Sequence, residues 1–180
     1  MLPSAATGCF RGRSVPPGHQ LPSIVDRPAQ RYVFESKTVS IPDFPAIADR
    51  IPEIIRTLAQ KGIPVVGPPF FRYRVIHPGM RFTVEAGVPI PDGLDGPKPM
   101  QTGELPAGKY VLETYIGPPS GLASATDAVL TWGAAEGIRW DSTETADGQA
   151  WGCRLEVLHT NPLEQPDPAK WVTDLLFRTA

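Results

Sequence analysis

The sequence predicts an α+β fold: two strand-helix-strand-strand modules in a pseudo-two-fold arrangement with a central ligand groove. Two observations predict it. Segments with apolar residues at every second position outnumber those with a helical stripe, and the order strand, helix, strand, strand occurs twice along the 180 residues. The 22 prolines punctuate these segments rather than filling one tract, as expected of a chain rich in strands and turns.

Residues 1–30 mix Pro, Gly, Ser and Arg without a sustained period, so a flexible N-terminal arm is expected there. The globular part is expected over residues 31–180, with module one at about 31–91 and module two at about 104–180. Module one opens with the alternating "YVFESKTVSI". The segment "IADRIPEIIRTLAQKG" then sets Ile47, Ile51, Ile54, Ile55 and Leu58 on one helical stripe. Asp49 is a candidate cap, Pro52 falls in the first turn, and Gly62 is the stop. Strands "FFRYRVI" and "RFTVEAGVPI" follow around the turn "HPGM".

The stretch "PDGLDGPKPMQTGELPAG" has no period and reads as a connector. Module two then repeats the order: strand "KYVLETYI", helix "GLASATDAVLTWGAAEG", and strands "WGCRLEVLH" and "VTDLLFRT". Leu122, Ala125, Val129 and Trp132 share one face of the second helix, and Gly137 closes it. One helix covers only one face of a short sheet, so pairing the modules buries the remaining apolar surface and leaves a groove along their boundary.

Composition excludes several classes. The formal charge is −2 and no Lys/Arg cluster is present, so direct nucleic-acid binding is not expected. No apolar run approaches the ~20 residues of a membrane span, and no basic segment precedes a hydrophobic stretch at the N-terminus; a soluble, cytoplasmic protein is expected. Cys9 and Cys153 are far apart and read as free thiols. His19, His77 and His159 have no metal-ligand spacing, the serines lack a nucleophile elbow, and "PDGLDGPKP" is no phosphate loop. No metal, nucleotide or other cofactor is expected.

Six segments, in order, resemble the GyrI-like small-molecule-binding family, also described as the AraC-type effector-binding domain. They are "GIPVVGPPFFRY", "FTVEAGVPIP", "LPAGKYVLETYIGP", "GLASATDAVLTWGAAEGI", "LEVLHTNP" and "DPAKWVTDLLF", and the resemblance runs from about Tyr32 to Phe177. The family implies a groove for amphipathic, often aromatic or cationic molecules. In its regulators the domain is fused to a DNA-binding domain, whereas this chain looks like the stand-alone kind. It departs from the family at Leu158 and at Pro119, where an aromatic residue is common.

The candidate site centres on Glu156. Strand alternation alone sets Arg154, Glu156 and Leu158 on one face and Trp151, Cys153, Leu155, Val157 and His159 on the other, which reads as an ordinary solvent face for the charged set. The resemblance instead places Glu156 on the floor of the groove. A carboxylate there neutralises a cationic ligand, or acts as a general acid or base if burial raises its pKa.

Tyr73 matches the family's usual tyrosine and reads equally as a ligand-binding groove wall or as core; Phe71, on the same face, is a ligand-binding candidate that reads as core first. Tyr115 shares a face with Val111 and Glu113 and is either a groove wall or a packed strand end. Trp132 reads as core first and groove border second, Trp140 and Trp171 as packing, and Trp151 as facing away from Glu156.

Three functions follow from the resemblance. The leading one is a small-molecule-binding protein for sensing, sequestration or resistance, binding an amphipathic aromatic or cationic compound. The alternative is a hydrolase of strained, cyclopropane-containing natural products with Glu156 as the catalytic acid or base. The third is a protein-binding inhibitor such as a gyrase modulator.

Overall fold

The alternating segments become one continuous, curled antiparallel sheet. The computed structural model describes residues 22–180, so the arm expected over 1–30 lies mostly outside the described residues. The elements are β1 (Ser23–Arg27), β2 (Gln30–Ser40), α1 (Pro45–Ala48), α2 (Arg50–Gln60), β3 (Phe70–His77), β4 (Arg81–Pro89), β5 (Gln101–Leu105), β6 (Gly108–Ile116), α3 (Leu122–Ala135), β7 (Ser142–Thr145), β8 (Gly148–Trp151), β9 (Arg154–Leu158) and β10 (Val172–Arg178).

The main strand order is β1-β6-β10-β9-β3-β4-β2-β5, with the β7–β8 hairpin attached through β8 to β3. Module one is β2-α1/α2-β3-β4 and module two is β6-α3-β9-β10. In each, the strand after the helix lies innermost, so β3 and β9 pair antiparallel at the seam, with Phe70, Phe71 and Arg72 opposite Val157, Glu156 and Leu155. The local two-fold axis passes through this seam.

Alternation sorts the core. Phe71, Tyr73, Val84 and Ala86 join Ile47, Ile51, Ile54 and Leu58 beneath α1 and α2. Val111, Tyr115, Leu175 and Phe177 join Ala125 and Val129 beneath α3. The intervening residues Tyr32, Phe70, Tyr110, Leu155 and Leu176 form a third cluster on the opposite face, closed by the curl of the sheet. Helices over both modules and none over the seam leave the β3–β9 line as the floor between them.

Four expectations need correction. Residues 23–27 are not part of an arm: they pair with Gly108–Leu112 as the edge strand β1. The connector contains a strand, β5, where Gln101–Leu105 pair with Gln30–Phe34 despite the absence of an apolar period. The first helix is two helices broken at Asp49, whose side chain makes no capping hydrogen bond. The segment "WGCRLEVLH" is two strands, because the chain leaves β-pairing at Gly152 and Cys153. Gly62 and Gly137, in contrast, end their helices at φ +68° and +69°, the left-handed conformation that glycine tolerates best.

Candidate functional site

Glu156 occupies the middle of β9 on the helix side of the sheet, directly opposite Phe71 of β3 and flanked on its other side by Leu175 of β10. Only 8% of the residue is exposed. Burial among these apolar neighbours disfavours the carboxylate and pushes its pKa up; a hydrogen bond from Tyr73 and the charge of Arg154 oppose that shift without cancelling it. The expectation of a solvent face, drawn from alternation alone, does not hold for Glu156.

Tyr73 lies two residues beyond Phe71 on the same face, and both are buried. Burial first and the neighbouring Glu156 second hold the Tyr73 hydroxyl well above its ordinary pKa. It therefore stays protonated and serves as a donor to the carboxyl group. Phe44, in the turn before α1, closes over the pair: its ring meets Phe71 edge-on at 4.9 Å and lies nearly parallel to Tyr73 at 6.4 Å, while Phe82 meets Tyr73 edge-on at 5.8 Å. These spacings fall in the attractive range for aromatic pairs. Neither Phe44 nor Phe82 is recognisable from strand spacing, since one is in a turn and the other is paired across strands.

Arg154 is the second charged group on this face. Its guanidinium carbon lies 4.8 Å from the Phe177 ring centroid, 5.2 Å from that of Trp151 and 5.5 Å from that of Tyr73. Each distance is within cation–π range. Trp151 thus stands on the same face as Arg154 and Glu156, not the opposite one. The break at Gly152–Cys153 shifts the alternation by one residue, as an extra residue in a strand does. Arg72 braces that break from the other face, donating to the Gly152 carbonyl at 2.7 Å.

Tyr115 and Trp132 pack in the apolar cluster beneath α3, which also holds Leu175, Trp151 and Phe177. The Tyr115 hydroxyl donates to the Pro118 carbonyl at 2.9 Å, and a Cβ at Gly121 would overlap it, so the tip of the ring packs against the turn before α3. Trp132 is partly buried against the same apolar cluster, as are Leu122 and Trp140. The Trp171 indole donates to the Gln165 carbonyl at 2.8 Å. Glu113, only 3% exposed, is a buried carboxylate aligned with Glu156 through Leu175, which sets the two roughly 10 Å apart at ordinary strand spacing.

The opposite face holds a different polar cluster. Tyr32 donates to Glu85 at 2.5 Å, and Arg72 donates to Tyr32 at 2.7 Å. Cys153 is a free, fully buried thiol near it, and burial pushes its pKa up, which argues against a nucleophile. A cavity of about 170 Å³ opens on this side, lined among others by Arg27, Gln30, Phe70, Leu105 and Val157. Phe70 and Val157 alternate with Phe71 and Glu156, so this cavity is separated from Glu156 by the sheet.

Among the described residues, no group of three or more His, Cys, Asp or Glu side chains is placed to hold a metal ion. Among the same residues, no helix is long and apolar enough to cross a membrane.

Comparison with known proteins locates this geometry. The sequence profile of the GyrI-like small molecule binding domain matches residues 21–179. No curated protein sequence shows significant similarity to the chain. Among solved structures, the EcmrR C-terminal domain superposes with a TM-score of 0.70 at 18% identity, covering 90% of this chain and 98% of that one. EcmrR in its DNA complex gives 0.71 at 17% identity, and there the match covers 89% of this chain but 57% of EcmrR.

A hydrolase from Listeria innocua gives a TM-score of 0.59 at 15% identity over 88% of this chain and 91% of that one. SAV2435, solved bound to tetraphenylphosphonium, gives 0.58 at 9% identity over 89% and 94%. At these identities the likeness is one of fold.

Proposed function

The chain belongs to the GyrI-like small-molecule-binding domain family, and from that premise we propose that the β3–β9 seam is the floor of a site for an amphipathic, aromatic small molecule, which the protein senses or sequesters. The observation that carries the reading is the meeting of Glu156, Tyr73 and Phe71 on one buried patch where the two modules join. Aromatic and aliphatic walls from Phe71, Phe82 and Leu158 supply affinity through apolar burial, with Phe44 closing over them as a cover. The Glu156–Tyr73 pair supplies a polar anchor, a carboxyl group whose pKa burial raises beside a protonated hydroxyl.

Titration with a neutral, solvatochromic aromatic dye tests it. Saturable one-to-one binding that Phe71→Leu and Tyr73→Phe weaken supports the site. Dye binding indifferent to both substitutions overturns it.

One observation favours hydrolysis as a second reading. A buried carboxyl with a raised pKa beside a protonated tyrosine can exchange a proton with a bound molecule at a higher pH than an exposed carboxyl does. A strained cyclopropane-containing electrophile held over that pair would be opened by water, with Glu156 handling the proton. Product beyond one equivalent of protein supports turnover, and its absence in the presence of saturable binding leaves sequestration as the function.

A further inference from the structure

A ligand entering this site meets a cation already in place. Arg154 projects from β9 onto the same face as Glu156, and its guanidinium fills the aromatic box formed by Phe177, Trp151 and Tyr73. Those rings are the surfaces on which an organic cation would stack, so a ligand cation must displace Arg154 or lie against it.

The guanidinium is nevertheless unspent as a donor. Among the described residues it donates no hydrogen bond and has no carboxylate within 4.0 Å, Glu156 included. Glu156 and the exposed Asp127 of α3 act on it through space alone. Arg154 also retains partial exposure, whereas Glu156 is buried. A planar fork of N–H donors, set among aromatic rings on a partly exposed residue, matches a carboxylate or sulfonate in the bidentate manner typical of arginine.

We infer that Arg154 determines the charge preference of the site, selecting an amphipathic aromatic ligand that carries an oxyanion and disfavouring organic cations. This rests on the seam being the binding site. It replaces the expectation that Glu156 recruits a cation: Glu156 and Tyr73 lie buried at the floor, and Arg154, partly exposed, reads the charge beside them.

Two probes on one scaffold, pyrenebutyrate and pyrenylbutylammonium, test the assignment by fluorescence titration of the intact protein. The wild-type protein is expected to bind the carboxylate about tenfold or more tighter than the ammonium at low salt. Arg154→Met, which keeps the apolar stem, is expected to bring that ratio to about one or below while both probes still bind. Arg154→Lys, which keeps the charge without the fork, is expected to fall between them.

A wild-type preference for the ammonium overturns the assignment, as does a ratio unchanged in a folded Arg154→Met. Wild-type binding of neither probe, or binding of both that Phe71→Leu leaves intact, overturns the site itself and the charge assignment with it. The wild-type ratio decides the sign even if Arg154→Met does not fold.

Discussion

Phe71 and Glu156 face each other across the β3–β9 seam, a ring and a carboxyl group in register at the line where the modules join. The local two-fold axis thus relates an aromatic side chain to a charged one, so the modules contribute unlike halves to one site. Phe71→Ala removes a buried ring that also supports Phe44. It should cost about 3–5 kcal/mol in urea unfolding, and Phe71→Leu should cost clearly less. A loss under 1 kcal/mol for the alanine variant would show that the ring is not packed as described.

Phe44 covers Phe71 and Tyr73 from a turn rather than from a helix, and it is partly exposed. Phe44→Ala should open the floor to water, tighten or speed entry of bulky aromatic probes, and move the Glu156 pKa back toward the ordinary carboxylate range. The check is the pH midpoint of probe binding measured for the two proteins side by side. An unchanged midpoint together with slower entry would mean that Phe44 forms part of the binding wall, not a cover.

Tyr32, Arg72 and Glu85 form their cluster on the other side of the sheet. Tyr32→Phe removes the hydroxyl that donates to Glu85 and accepts from Arg72, while Arg72 keeps the Gly152 and Glu104 carbonyls and Glu85 keeps Arg74; it should cost roughly 1–3 kcal/mol of stability. Ligand affinity should stay within about twofold once the protein is folded, because the backbone of the sheet lies between. A large loss of affinity at unchanged stability would place the ligand on the wrong face.

The two-module order, the helix stripe at Ile47, Ile51, Ile54 and Leu58, and the glycine stops were legible because a helical period and a left-handed glycine are local signals. β5 was not, since "QTGEL" has no apolar alternation and pairs only because β2 offers an edge. β1 was hidden by its proline-rich neighbourhood. Glu156 was singled out by its likeness to a family motif, while strand alternation argued the other way. Alternation misplaced Trp151 as well, because the break at Gly152 depends on Arg72, 80 residues earlier in the chain. Arg154 looked like half of a solvent face. Its role depends on Tyr73, Trp151 and Phe177, which only tertiary structure brings together.

Glu156→Gln isolates the cost of burying a charge. The folded-state pKa of Glu156 is raised above its unfolded value of about 4.3. The folded protein therefore holds this proton more tightly than the unfolded chain does. The stability tied to the protonated form is complete below the unfolded pKa and is lost as pH rises through the folded pKa. Glutamine mimics the protonated carboxyl at every pH. The variant should match the wild type near pH 4 and become more stable than it, on the order of 1 kcal/mol, at neutral pH and above. Urea unfolding of both proteins across that range is the measurement. If the variant is less stable at neutral pH, Glu156 is held as a paired carboxylate, and burial does not raise its pKa.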